Sequence, residues 1–113
     1  MTSPGTAAAE IPVLAPNGEL DFANMTPFAE ALEAASRQHP AVIVDLSNVT
    51  FGDSTFLNTL LHCHQLTDLR LAAVPTLLTR VFDITGMHRA MNLYPTVEAA
   101  QTPKSPSQAA GTV

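Results

Sequence analysis

Residues 41–46 read Ala-Val-Ile-Val-Asp-Leu, a nearly unbroken apolar run rich in β-branched side chains. A strand with one wet face alternates apolar and polar residues, so a run of this kind reads as a strand covered on both faces. Double coverage requires layers above and below, and in a chain of 113 residues the economical solution is one sheet packed with helices. The run is closed by Asp45 and entered from Pro40, which stops whatever precedes it.

The flanking segments carry helical periodicity. Over residues 26–38, Thr26 suits a cap, Pro27 suits the first helical position, and Phe28, Ala31, Leu32 and Ala35 share a face. Residues 47–52 form a turn-rich connection. Asp53 or Ser54 can then cap a second helix over 54–66, with Leu57, Leu60, Leu61 and His64 at i, i+3, i+4 and i+7. Residues 69–74 are a second apolar run. Pro75 opens a third helix with Leu77, Leu78 and Val81 inward, and Gly86 is its stop. Residues 90–94 are the last strand and 96–101 a short terminal helix. Ahead of all this, residues 11–15 and 19–22 flank Pro16-Asn17-Gly18 and predict an opening β-hairpin. Pro12 and Pro16 lack amide donors and push the first strand to a sheet edge. The expected order is β-β-α-β-α-β-α-β-α. Right-handed crossovers then build an α/β fold: a small mixed, mostly parallel sheet of four to five strands with about four helices.

One core fits this length, so residues 10–101 are expected to form a single domain between disordered tails at 1–9 and 102–113. With 46% hydrophobic and 13% charged residues, disorder along the whole chain is excluded. Five Lys plus Arg against ten Asp plus Glu give a net charge of −5, which disfavours nucleic acid as a partner. No stretch approaches a membrane span, and no secretory signal opens the chain. A cytoplasmic location is therefore expected, and the lone Cys63 agrees with a reducing compartment.

The chemistry concentrates in Gly52-Asp53-Ser54-Thr55-Phe56, where a hydroxyl stands at the mouth of a strand-loop-helix unit. The simplest role for Asp53 and Ser54 is N-capping. A nucleophilic serine is the sharper reading, with Asp83 and His88 as acid and base, but Phe56 stands where the hydrolase elbow needs glycine. His62, Cys63 and His64 lack the i, i+4 spacing of ligands sharing a helix face, so no metal site is expected. Asp45 reads as a loop-organising acceptor, and Glu30 and Glu33 as solvated helix surface. No glycine-rich phosphate cradle is present, and no cofactor is expected.

Taken together, Gly18-Glu19-Leu20-Asp21, Val42-Ile43-Val44-Asp45-Leu46-Ser47, Val49-Thr50-Phe51-Gly52-Asp53-Ser54-Thr55 and Val81-Phe82-Asp83-Ile84-Thr85-Gly86-Met87 resemble the signatures of STAS domains. These domains occur in bacterial anti-sigma factor antagonists and in the tails of sulfate transporters. The resemblance implies a regulatory interaction protein without catalytic chemistry. Its partner would be an anti-sigma factor with serine kinase activity, bound to release a sigma factor. Phosphorylation at Ser54, with Thr55 as fallback, would end that binding, and a serine phosphatase would restore it. Asp21, Asp53, Ser54 and Thr55 are the partner-binding positions the resemblance implies. The chain departs from the family at Phe56, where glycine is usual, which implies a bulkier docking surface. The alternative is a non-phosphorylated STAS subunit serving as a docking scaffold in a signalling or lipid-transport complex.

Overall fold

The computed structural model describes residues 11–101; the tails expected at 1–9 and 102–113 lie outside the described residues. In chain order the elements are β1 (Val13–Leu14), β2 (Gly18–Leu20), α1 (Thr26–Gln38), β3 (Ala41–Asp45), β4 (Val49–Gly52), α2 (Ser54–His64), β5 (Asp68–Ala72), α3 (Thr76–Thr85), α4 (Met87–Ala90), β6 (Asn92–Tyr94) and α5 (Val97–Ala100). Four strands form one sheet in the order β1-β3-β5-β6, and β2 pairs with β4 in a second, two-stranded sheet. Every pairing is parallel.

The apolar run lies where its composition demands. Val42 and Val44 point into the main core with Leu32, Phe56, Leu60, Leu69, Leu71, Leu78 and Phe82, beneath α1, α2 and α3. Ile43 points the other way, into a smaller cluster with Ala72 and Ala100 under α5. The central strand is thus buried on both faces, and β1 sits at the edge to which its prolines confine it.

The expected hairpin is absent. β1 pairs with β3, where Ile43 N–H donates to Pro12 C=O at 2.9 Å, and β2 pairs with β4, where Gly18 N–H donates to Asn48 C=O at 2.9 Å. Pro12 and Pro16 remove amides that an antiparallel ladder would use, so the long-range parallel partners win. Asn17-Gly18 still turns the chain, with Gly18 at φ +77°, but it hands the backbone from one sheet to the other. The segment read as a turn-rich connection contains β4, and α4 occupies the start of the segment read as the last strand.

Three side-chain assignments also change. Met25, not Thr26, is the cap position of α1, and no side chain bonds there; Pro27 does fall in the first turn. Ala31 is exposed, and the buried residues of α1 are Leu32 and Ser36, whose hydroxyl donates to Leu32 C=O at 2.7 Å. On α3, Leu77 points to solvent while Leu78 and Phe82 are buried. Gly86, left-handed at φ +81°, ends that helix as expected.

Arg70 departs from the apolar reading of its strand. It is 1% exposed on the α5 face of the sheet, where its guanidinium meets Asp68 at 3.0 Å, donates to Ala100 C=O at 2.6 Å and lies 5.6 Å from the centre of the Tyr94 ring.

Candidate functional site

Asp53 holds the site together. Its backbone is extended at the N-cap of α2, and Oδ1 accepts the Phe56 N–H at 3.2 Å. Its other oxygen, Oδ2, accepts the Phe22 N–H at 3.2 Å, while its own N–H donates to Leu20 C=O at 3.2 Å. One residue thereby fastens the end of β2, the turn beyond it and the first turn of α2. That turn is closed locally by Asp21, whose Oδ1 accepts the Ala23 N–H at 3.0 Å and whose N–H donates to Asn24 Oδ1 at 2.9 Å.

Because Asp53 does the capping, Ser54 is released from it. Ser54 is the first helical residue, is exposed, and its hydroxyl makes no hydrogen bond to a described residue. It stands at a helix end whose amides point outward and whose dipole places about half a positive charge there. Thr55 is half-buried and helps line a groove of about 290 Å³ between α1 and α2, together with Ala29, Glu33, Asn58, Thr59, His62 and Cys63.

Of the four partner-binding positions expected, Asp53, Ser54 and Thr55 are consecutive, and Asp21 reaches them through its neighbour Phe22. Asp83 and His88 approach each other at 3.7 Å, and neither bonds to Ser54. His62, Cys63 and His64 diverge as their spacing requires: His62 lies 3.5 Å from Glu33, Cys63 is buried, and His64 Nδ1 accepts the Leu69 N–H at 3.2 Å. Asp45 organises its loop, accepting the Ser47 N–H at 3.0 Å. Glu33 is more than solvated surface, since the Arg37 guanidinium, 2.7 Å away, holds its carboxyl below the ordinary carboxylate value, with His62 assisting.

The bulk expected on this surface from Phe56 is not there. Phe56 is fully buried and its ring lies against Gly52, where an added Cβ would overlap it. The requirement at Gly52 is space. A Gly52→Ala variant is expected to lose about 1–3 kcal/mol, read from the denaturant midpoint; an unchanged midpoint would show that the ring has room to yield. Burial likewise pushes the Cys63 thiol above its ordinary value, outweighing the opposing influence of the neighbouring Ser36 hydroxyl. Iodoacetamide at neutral pH is expected to leave Cys63 unmodified in the native chain and to label it once the chain is unfolded.

Sequence reasoning missed Phe22 and Phe51, both exposed beside this site. Phe51 lies just past an irregularity in the β2–β4 register, where Gly18 pairs with Val49 and Glu19 with Phe51. No local pattern announces such a shift.

A small parallel sheet carries helices on both faces, and at the start of α2 Asp53 caps the helix while the Ser54 hydroxyl bonds to no described residue. The chain belongs to the STAS domain family, whose match runs over residues 6–100. Among solved structures it is similar to an anti-sigma factor antagonist from Mycobacterium paratuberculosis, with 27% identity, a TM-score of 0.69 and coverage of 76% of this chain and 78% of that one. It is similar in fold to an anti-sigma-factor antagonist (STAS) domain protein from Planctomyces limnophilus, at 18% identity and TM-score 0.69, covering 79% and 86%. It is also similar in fold to the anti-sigma factor antagonist SpoIIAA in its unphosphorylated form, at 17% identity and TM-score 0.60, covering 76% and 80%. No curated protein matches the sequence. No helix of the described residues is long and apolar enough to cross a membrane.

Proposed function

We propose that this chain is an anti-sigma factor antagonist of the cytoplasm that binds an anti-sigma factor with serine kinase activity, frees a sigma factor, and is switched off by phosphorylation at Ser54. The observation that carries this reading is the exposed Ser54 hydroxyl, which bonds to no described residue while Asp53 caps α2. The family and the antagonists it resembles support the general role. Asp21, Asp53 and Thr55 complete the partner-binding surface, and a serine phosphatase resets it. The anti-sigma factor supplies the chemistry, and the antagonist supplies a surface that the phosphate alters.

The test is intact-mass spectrometry of the full chain after incubation with ATP and the purified anti-sigma factor of its source organism. One phosphate is expected, mapped by fragmentation to Ser54 and absent from Ser54→Ala. A phosphate on Thr55 instead would move the switch by one residue. A chain that binds the anti-sigma factor yet is never modified would overturn the switch and favour a permanent docking scaffold.

A further inference from the structure

Phe22 and Phe51 are 78% and 47% exposed, whereas Phe56 and Phe82 are wholly buried. Both exposed rings belong to the framework around Ser54. Phe51 pairs with Glu19 in the β2–β4 register, Leu20 pairs with Gly52, and Phe22 follows two residues later. Its turn is fixed rather than loose, since Asp53 Oδ2 accepts the Phe22 N–H and Asp21 and Asn24 close the turn around it. Asp53 is therefore a positioning residue that ties one aromatic to the phosphorylation position. Isolated apolar side chains on a surface need no explanation. Two exposed aromatics, Phe51 on β4 and Phe22 in the turn that Asp53 braces, have the composition of an interface core.

The charges nearby say what fits. Glu19, Asp21 and Asp53 are all acidic and no Lys or Arg lies within ten residues of either ring in the sequence; Arg37 is engaged by Glu33 on α1, and the cation on the helix packed against β4 is Arg80 of α3. A second copy of the chain would bring the same acidic face and meet like charge with like. Resting on the reading above, we propose that Phe22 and Phe51 form the docking face for the anti-sigma factor, and that the partner presents an apolar cleft edged with basic side chains. A phosphate on Ser54 then enters an apolar contact beside the Asp53 carboxylate, where desolvation and repulsion oppose docking despite the basic edge.

The full-length chain and the purified anti-sigma factor of its source organism provide the test, by titration calorimetry at low and high salt. Phe22→Ser and Phe51→Ser are each expected to weaken binding about tenfold or more with unchanged circular dichroism, as truncated interface anchors do. Leu77→Ser and Ile84→Ser, at exposed apolar positions on α3, are expected to stay within about twofold. Affinity should fall as salt rises. If wild type binds and the two phenylalanine variants bind as well, this docking face is wrong while the antagonist reading stands. Failure of wild type to bind removes both. Sedimentation showing self-association that depends on Phe22 would make a second copy the occupant, and salt-independent binding would remove the basic edge.

Discussion

Phosphorylated at Ser54, the chain is expected to bind its anti-sigma factor about a hundredfold more weakly than the unmodified form, a loss of about 3 kcal/mol. The phosphate brings about −1.5 to −2 charges and three strongly hydrated oxygens into contact with the partner. The residue before it in the chain is Asp53, whose carboxylate is already committed to the Phe56 and Phe22 amides and cannot move away without giving up both. The α2 amino terminus acts in the opposite direction, favouring an anion by about 0.3–1 kcal/mol, too little to cancel the loss. The two effects separate experimentally because the helix belongs to the free protein and the desolvation only to the complex. Ser54→Glu, with a single charge, is expected to weaken binding at least about tenfold while its thermal midpoint stays level or rises. Ser54→Ala should bind like wild type, since the hydroxyl supports no described hydrogen bond. A Ser54→Glu variant that binds normally would sink the switch; one that loses binding together with its fold would place the effect in stability instead.

How far a sequence can be read here depends on whether its signals are local. The strand at residues 41–46 was legible because composition alone distinguishes double burial from single, and Val42, Ile43 and Val44 divide between two cores accordingly. The start of α2 was legible because capping is a short-range rule, and Asp53 obeys it. Asn17-Gly18 is local as well, yet it misled, because Pro12 and Pro16, both on the β1 side of it, spoil the ladder that such a turn normally closes. The partners of β1 and β2 lie some 30 residues further along the chain, and no local pattern specifies that register. Helix faces were right to within one position: of Leu77, Leu78 and Val81 expected inward on α3, Leu78 is buried, and Phe82 rather than Leu77 joins it, since the apolar stripe of α3 is wider than its buried part. The site divides in the same way. Ser54 and Asp53 follow from the sequence, but Phe22 depends on a contact across 31 residues.

Replacing Arg70 should unsettle the whole domain while leaving the Ser54 surface chemically intact. Arg70 and Asp68 are 1% and 7% exposed in their side chains, and breaking a buried pair by removing one member costs about 3–5 kcal/mol because the other charge stays behind. Arg70→Ala is therefore expected to lower the thermal midpoint by well over about 10 °C for a domain of this size. Asp68 is not left wholly bare, since Asn92 Nδ2 donates to its other oxygen at 2.7 Å. The more revealing comparison is Arg70→Met combined with Asp68→Leu, which removes both charges and keeps apolar volume. If the ion pair were the whole contribution, this double variant would match wild type. It is expected to fall short by about 1–3 kcal/mol, because the Ala100 carbonyl at the end of α5 loses the donor that reaches it from Arg70. Full recovery in calorimetric melting would show that water reaches that carbonyl. A deficit confined to the double variant's α5 amides in hydrogen exchange would assign Arg70 its role: it joins the two Gln101–Ile11 bonds in holding the last helix against the sheet.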